Sequence, residues 1–218
     1  MRLAGVGLGV ALLVTGTVAP SFAVGEQPPY RAIVDRLDQA TRREMTGVSW
    51  HRGCPVPLRA LRVLHVTIWG FDRAAHRGEL IVHRRWAEDL ALVFRRIYRD
   101  RFAIRRMRPV DRYDADDRRS MRADNTSAFN CRYVAGTSRW SQHAYGRAID
   151  LNPVENPYVA GDHVSPRAGR PFADRSLDRR GMVHRGDVVW RAFHRLGWGW
   201  GGSWSFAQDY QHFSLDGR

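Results

Sequence analysis

The chain has 218 residues, with 35 basic and 22 acidic side chains and a formal net charge of +13; every basic side chain is an arginine. A hydrophobic content of 44% and an aromatic content of 11% exclude a disordered basic tail, a collagen-like chain and a protein with several membrane spans. The length suits one domain with a sizeable core, or two small ones. The charge suggests an anionic partner: nucleic acid, an anionic envelope or an acidic substrate.

The N-terminus has the pattern of a secretory signal peptide. Arg2 precedes an apolar run over residues 3–18, and Ser21 and Ala23 are small residues at the −3 and −1 positions if cleavage follows Ala23. An uncleaved membrane anchor is the alternative. We expect a signal peptide over residues 1–23 and a secreted, extracytoplasmic protein.

The predicted elements then follow in chain order. Residues 24–54 form an N-terminal leader, in which Ile33, Leu37 and Ala40 have helical spacing and predict a helix over 30–45. In the main domain, residues 55–218, period-two alternation predicts strands over 61–71 and 79–83 joined by a connection. The further predictions are a long amphipathic helix with its apolar stripe from Trp86 to Ile97 and a strand over 104–110.

The second half is predicted to contain shorter elements. Short strands are expected at 129–134, 148–151 and 212–215, and a helix over 188–196 that Gly197 ends. Loops are expected at 111–125, 152–180 and 198–205. Helices and antiparallel strands mixed without a βαβ rhythm predict a single α+β domain.

Two cysteines, Cys54 and Cys131, suit an oxidising compartment, where an even count permits one disulfide. Two buried free thiols are the alternative. The absence of a CxxC spacing argues against a cysteine metal site.

A first candidate motif lies between Ser141 and Asp150. His143 and Asp150 are seven residues apart, and Gly146 between them provides a bend. An aspartate flanked by Ile149 and Leu151 is costly to bury unless it is paired or binds a metal. A simple His–Asp hydrogen bond would also satisfy it.

A second candidate motif is Asp209-Tyr-Gln-His212 near the C-terminus. On a strand, His212 would face away from the core while Phe213 packs into it. Two histidines and one aspartate leave a fourth position open on a tetrahedral zinc ion, which is the catalytic pattern. Zinc lowers the pKa of water and polarises a carbonyl. Asp209 can then transfer a proton, or it is only a loop-capping carboxylate.

Together the two motifs resemble the VanY-type D-alanyl-D-alanine carboxypeptidase family of zinc metallopeptidases, which includes the L-alanyl-D-glutamate endopeptidases of phage endolysins. The signature is Ser-x-His-x-x-Gly-x-Ala-x-Asp, followed later by acidic-x-x-His. The segments 125–132, 156–158 and 199–204 strengthen the resemblance, which spans roughly residues 55 to 215. It implies the hedgehog/DD-peptidase fold, a central antiparallel sheet flanked by helices.

The resemblance also implies roles for individual residues. Zinc would be bound by His143, Asp150 and His212, with Asp209 as the acid/base carboxylate. Arg132 is our candidate for stabilising the oxyanion, with Arg106 and Arg108 as rivals.

Substrate-binding or supporting roles are expected for Ser141, Tyr145 and Trp204. Trp198, Trp200, Trp204 and Tyr158 can either line the cleft or pack in the core.

These observations favour a secreted zinc peptidase that hydrolyses peptide bonds in peptidoglycan stem peptides, of the D-alanyl-D-alanine carboxypeptidase type. The alternatives are an L-alanyl-D-glutamate endopeptidase of the same family and a non-catalytic wall-binding module on the same fold. We expect a monomer whose partners are stem peptides and the anionic cell-wall surface. A nucleic-acid partner is not expected, because no nucleic-acid-binding motif is recognisable.

Overall fold

The computed structural model describes residues 27–217. The predicted signal peptide, residues 1–23, lies outside them. In the part of the chain that is described, no helix is both long enough and apolar enough to cross a membrane.

The described chain contains eleven strands and four α-helices, most of them short. In chain order they are β1 (Ala32–Arg36), α1 (Gln39–Met45), β2 (Leu61–Trp69), β3 (Ala75–His83), α2 (Ala87–Arg99), β4 (Arg106–Met107), α3 (Asp117–Arg122), β5 (Asn125–Thr126), β6 (Ala148–Asp150), β7 (Tyr158–Ala160), β8 (His163–Ser165), α4 (Val188–His194), β9 (Gly199–Trp200), β10 (Gln208–Asp209) and β11 (His212–Ser214). Short 3-10 helices lie at Leu58–Ala60, Val110–Tyr113, Gln142–Tyr145, Arg167–Phe172 and Gly201–Ser203.

The strands form small sheets that are mostly antiparallel. Three sheets have three strands each, in the orders β1-β2-β3, β10-β7-β8 and β6-β11-β9, and β4 pairs with β5 in parallel. Helices pack against these sheets, which confirms the predicted α+β class and single domain. The predictions of β2, α2, β6, α4 and β11 are also confirmed in kind and position.

The main hydrophobic core lies where α2 and α4 meet the sheets. Phe94 of α2 and Phe193 of α4 are in edge-to-face contact, with ring centroids 6.5 Å apart. Phe193 in turn stacks on Phe213 of β11 at 4.3 Å. The strand that carries His212 is therefore fixed from its rear face by the core of the domain.

A smaller cluster, which includes Met45, Leu61 and Phe129, lies at the other side of the β1–β3 sheet. Cys54 and Cys131 form a disulfide beside it, so the first of the two alternatives for these cysteines is the correct one.

The predicted helix over 30–45 is wrong in its first half. Residues Ala32–Arg36 form β1, which pairs antiparallel with β2, and only Gln39–Met45 is helical. Ile33 is 55% exposed, so its spacing from Leu37 does not mark one buried face. Pairing with the edge of β2 outweighs the weak local helical pattern.

Several predictions in the middle of the chain also need correction. The expected loop over 111–125 contains α3, whose first turn is capped by the Asp116 side chain accepting from the Arg119 amide. The expected loop over 152–180 contains the β7–β8 hairpin. The strand expected over 104–110 shrinks to β4.

The segment 129–134 is not a strand because it has no single partner along its length. The amides of Phe129, Asn130 and Cys131 donate to three different segments, at Ile81, His143 and Ser49. A strand requires successive bonds to one neighbour.

Candidate functional site

His143 is held in place by a tight 3-10 turn. The Ser141 side chain accepts from the His143 amide at 3.3 Å, and Gly146 ends the turn at φ +64°. A Cβ on residue 146 would lie 2.7 Å from the His83 amide nitrogen, so the turn requires glycine for both conformation and space. The bend predicted at Gly146 is present.

The orientation of the His143 ring follows from one buried hydrogen bond. Its Nδ1 lies 2.5 Å from the backbone oxygen of Ala128, and a carbonyl only accepts, so Nδ1 carries the proton. Nε2 is therefore the ring nitrogen that faces the site, 3.2 Å from the Asp150 carboxylate. A hydrogen bond of this kind to the remote ring nitrogen is the usual support of a metal-binding histidine.

Asp150 and His212 are brought together by strand pairing. They are directly opposite each other in the antiparallel pair β6–β11, while Ile149 and Phe213, the next pair, point into the core. Because side chains alternate along a strand, burying the apolar pair places the polar pair on the other face.

Three ligand atoms converge at this point. The Asp150 carboxylate lies 3.2 Å from Nε2 of His143 and 2.9 Å from Nδ1 of His212, and the two ring nitrogens are 3.3 Å apart. Burial alone would raise the pKa of Asp150, but the charges and hydrogen bonds of the two histidines outweigh it and hold that pKa well below its usual range. Asp150 is thus an anion between two imidazoles.

This donor set fits a zinc ion. Ligands about 2.0–2.2 Å from a tetrahedral zinc lie roughly 3.3–3.6 Å from one another, close to the separations found here. Two imidazole nitrogens and one carboxylate are ligands that zinc accepts, and three protein ligands leave one position open.

The other group of metal-binding residue types in the described chain does not form such a site. His51, Cys54 and Cys131 also lie within reach of one another. Because the two sulfur atoms are bonded to each other, neither is a thiolate that can bind a metal.

Asp209 lies beside the three ligand residues, on β10. Its Oδ1 is buried and has no hydrogen-bond partner among the described residues. Burial, and then the nearby charge of Asp150, raise the pKa of Asp209 to about 6. This carboxyl group can therefore hold or release a proton near neutral pH, as a general acid/base requires.

The close approach of Gly201 fixes where Asp209 lies. A Cβ on residue 201 would be 2.7 Å from the backbone oxygen of Asp209, 2.9 Å from its Cβ and 3.3 Å from the Cβ of His212. Glycine at 201 thus allows the 3-10 helix Gly201–Ser203 to pack directly on the segment that carries both side chains.

The three arginines considered for the oxyanion role are in different environments. The Arg132 guanidinium forms an ion pair with Asp117. The backbone oxygen of Arg132 accepts from the Ser141 amide, next to the site. Arg106 donates to the backbone oxygen of Ala123 at 2.6 Å, and Arg108 is exposed. Of the three, Arg132 has the direct backbone link to the turn of His143.

The residues expected to bind substrate differ in position. Ser141 is buried and caps the turn, and Tyr145 is half-buried, with the Arg147 guanidinium 4.4 Å over its ring. Trp204 lies at the site, with its ring centroid 5.7 Å from that of His212.

Of the other aromatic residues of this loop, Trp198 and Trp200 are buried in the main core, so the packing alternative is correct for both. Tyr158 of β7 is half-buried and opposite Asp209 in the β10–β7 pair.

Sequence reasoning missed three features of the site. Phe206 is 80% exposed and stacks on Trp204 at 5.7 Å, which extends the aromatic edge of the site. The aromatic spacing Trp-x-Phe was a signal for it. The Ala128 carbonyl has no such signal because every residue has one, and the steric role of Gly201 depends on contacts between segments.

Comparison with known proteins points to one family. A family model described as D-alanyl-D-alanine carboxypeptidase matches residues 135–215, a little over a third of the chain. The matched segment contains His143, Asp150, Asp209 and His212, whereas Arg132 precedes it. No curated protein and no solved structure matches the chain. The match agrees with the family resemblance indicated by the two motifs, and it supports a peptidase of the D-alanyl-D-alanine carboxypeptidase type.

Proposed function

We propose that the protein is a secreted, zinc-dependent carboxypeptidase that removes a terminal D-alanine from peptidoglycan stem peptides, because residues 135–215 match the model of this peptidase family. The observation that carries the proposal is the convergence of His143, Asp150 and His212, with separations of 2.9–3.3 Å, beside the unpartnered carboxylate oxygen of Asp209.

His143, Asp150 and His212 would bind the zinc ion through Nε2, the carboxylate and Nδ1. When bound, zinc supplies a Lewis acid that lowers the pKa of water and polarises the substrate carbonyl. The carboxylate also fixes the charge of the site, since one anion and two neutral imidazoles leave the dication only partly neutralised.

Asp209 would take the proton from the attacking water and return it to the leaving amine. Its buried Oδ1 and raised pKa support this role, and they argue against a non-catalytic binding module, which needs no proton-transfer group.

Arg132 would stabilise the negative charge that develops on the carbonyl oxygen. Its ion pair with Asp117 would have to loosen for the guanidinium to reach a substrate. Tyr145 and the Trp204 ring would contact the substrate, and Ser141 would act through the turn that it caps.

The proposal includes the protein's surroundings. The signal-like N-terminus supports export, and the net charge of +13 supports attraction to an anionic cell wall. We propose that the protein acts there as a monomer.

The first test is metal content together with hydrolysis. The purified protein, the chelated protein and the His212→Ala variant would be measured for bound zinc and for release of D-alanine from a stem pentapeptide. We expect about one zinc per chain, reversible loss of activity with the chelator, and loss of both zinc and activity in His212→Ala. Activity that survives complete metal removal would refute the proposal.

Mass spectrometry of the products from defined muropeptides then identifies the bond that is cut. A shortened stem peptide with free D-alanine supports the carboxypeptidase. Release of the stem peptide after its first residue would instead show an L-alanyl-D-glutamate endopeptidase.

A further inference from the structure

A groove lined by arginines runs between α2 and α4. Arg96 and Arg99 line it from α2, and Arg191 and Arg195 from α4, around a cavity of about 350 Å³. All four side chains belong to exposed residues.

The two helices run antiparallel. Phe94 contacts Phe193, and Asp100 after the end of α2 lies near Val188 at the start of α4. Basic residues near helix C-termini commonly compensate the helix dipole. In an antiparallel pair, however, the two C-termini lie at opposite ends of the groove. Dipole compensation explains the place of each arginine along its own helix, but not the lack of counter-charges in the groove between the helices.

These guanidinium groups have few internal partners. Arg191 donates to the backbone oxygen of Gly186. Within residues 27–217 no carboxylate forms an ion pair with any of the four, although Asp100 lines one end of the groove. Bringing like charges together without counter-charges costs free energy, which an anionic ligand would recover.

The groove and the metal-binding residues lie on opposite sides of the β6–β11 pair. Phe213 stacks on Phe193 of α4, whereas His212, its neighbour on β11, points to Asp150. Alternation along the strand thus separates the groove from the site, so a ligand in the groove leaves the catalytic cleft open.

We propose that the arginine groove binds the phosphate groups of a phosphodiester polymer on the cell surface and holds the protein there with its catalytic cleft free. Arginine suits this role because its planar fork donates two parallel hydrogen bonds to a phosphate. None of the groove residues belongs to the proposed zinc site, so this binding does not depend on the peptidase activity.

The surroundings of the groove favour a polymer over a lipid surface or nucleic acid. Leu92 is the one large hydrophobic residue of the two helices that is exposed, and a lipid surface is bound through a continuous apolar face. The exposed residues Tyr133 and Phe206 lie on neither helix. Trp190 and His194 of α4 stack on each other and do not line the groove, so the groove itself has no aromatic platform for stacking bases.

The test compares two double variants that remove the same charge. Arg96→Gln/Arg195→Gln changes the groove, and Arg43→Gln/Arg77→Gln changes two exposed arginines on α1 and β3. Binding to poly(glycerol phosphate) would be measured by calorimetry at several salt concentrations, with inorganic phosphate, phosphatidylglycerol vesicles and oligo(dT) as parallel probes.

We expect the groove variant to bind poly(glycerol phosphate) about tenfold or more weakly, and the control less than about twofold more weakly, because paired guanidinium contacts are lost only in the groove. Both variants should release D-alanine from a soluble pentapeptide at the rate of the unchanged protein. This separates the result from a failure of the proposed activity, which would affect all three proteins alike.

Equal weakening in both double variants would overturn the proposal, since the attraction would then come from net charge alone. Unchanged binding in the groove variant would also overturn it. Tighter binding of vesicles or oligo(dT), lost specifically in the groove variant, would assign the groove to a different partner.

Discussion

The β1–β3 sheet with α2 and the region around the metal-binding residues are built in different ways. Strands β2 and β3 have nine residues each and α2 has thirteen, whereas the strands that carry Asp150 and His212 have three each. Long elements bury apolar faces that stabilise one another through many contacts. The short elements of the site depend instead on single hydrogen bonds and close backbone approaches.

Asn156 shows how the site region is connected. Its fully buried side chain donates to the backbone oxygens of Leu151 and Gly181, and its Oδ1 accepts from the Val183 amide at 2.7 Å. One side chain thus joins the segment directly after Asp150 to the segment before α4. We therefore expect substitutions in the site region to change function, with or without a loss of stability, and substitutions in the β1–β3 sheet to change stability alone.

The largest expected effect is on turnover. Asp209→Asn keeps the size of the side chain but removes its ability to accept a proton, so kcat should fall by about 10²–10⁴. Zinc content and melting temperature should stay close to those of the unchanged protein, since Asp209 is not one of the three ligand residues. Loss of zinc together with activity would mean that Asp209 supports the metal instead.

A matched pair of core substitutions tests the contrast directly. Leu64→Ala in β2 empties a fully buried position, and Asn156→Leu leaves several backbone groups without partners. Each should lower the free energy of unfolding by about 2–5 kcal/mol. Only Asn156→Leu should also weaken zinc binding, by about 10–100-fold, because it acts on a support of Asp150.

Urea unfolding and zinc titration of the folded variants would measure both quantities. If Leu64→Ala weakened zinc binding as much as Asn156→Leu, the division between the two regions would be wrong.

A smaller effect is expected from Gly201→Ala. The added methyl group would lie within 3 Å of two Asp209 atoms, so the segment carrying Asp209 must shift. We expect kcat to fall about tenfold, since displacement of a catalytic group by less than an ångström is enough for this. Gly161→Ala is the control: its methyl group meets nothing within 4 Å, and its positive φ adds only about 1–2 kcal/mol of backbone strain. Equal losses of kcat in both would contradict the steric explanation.

The contrast between long elements in the β1–β3 sheet and short elements at the site also explains what could be predicted from the sequence. The patterns of β2 and α2 are long enough to determine element type, and His143, Asp150, Asp209 and His212 are found together as their two motifs indicated. The two-residue strands are too short to complete a pattern, and α3 has no apolar stripe to detect, because Met121 is its one apolar residue. The contacts of Gly201 and Asn156 join segments far apart in sequence, so no local signal indicates them.

The smallest expected change in stability concerns β1, which the sequence pattern predicts as the start of a helix. On the predicted helix, Ile33 would share a buried face with Leu37, and Ile33→Thr would cost more than about 1 kcal/mol. On the edge strand β1, Ile33 is 55% exposed, and threonine keeps the β-branched shape that strands favour. We therefore expect Ile33→Thr to change the free energy of unfolding by less than about 0.5 kcal/mol, as is usual for exposed positions.

Urea unfolding would measure the change, with Leu37→Ala as the buried comparison, because Leu37 is only 4% exposed and its substitution should lower the free energy of unfolding by about 2 kcal/mol or more. Similar losses of unfolding free energy at the two positions would show that Ile33 is buried, and they would contradict its place on the exposed edge strand β1.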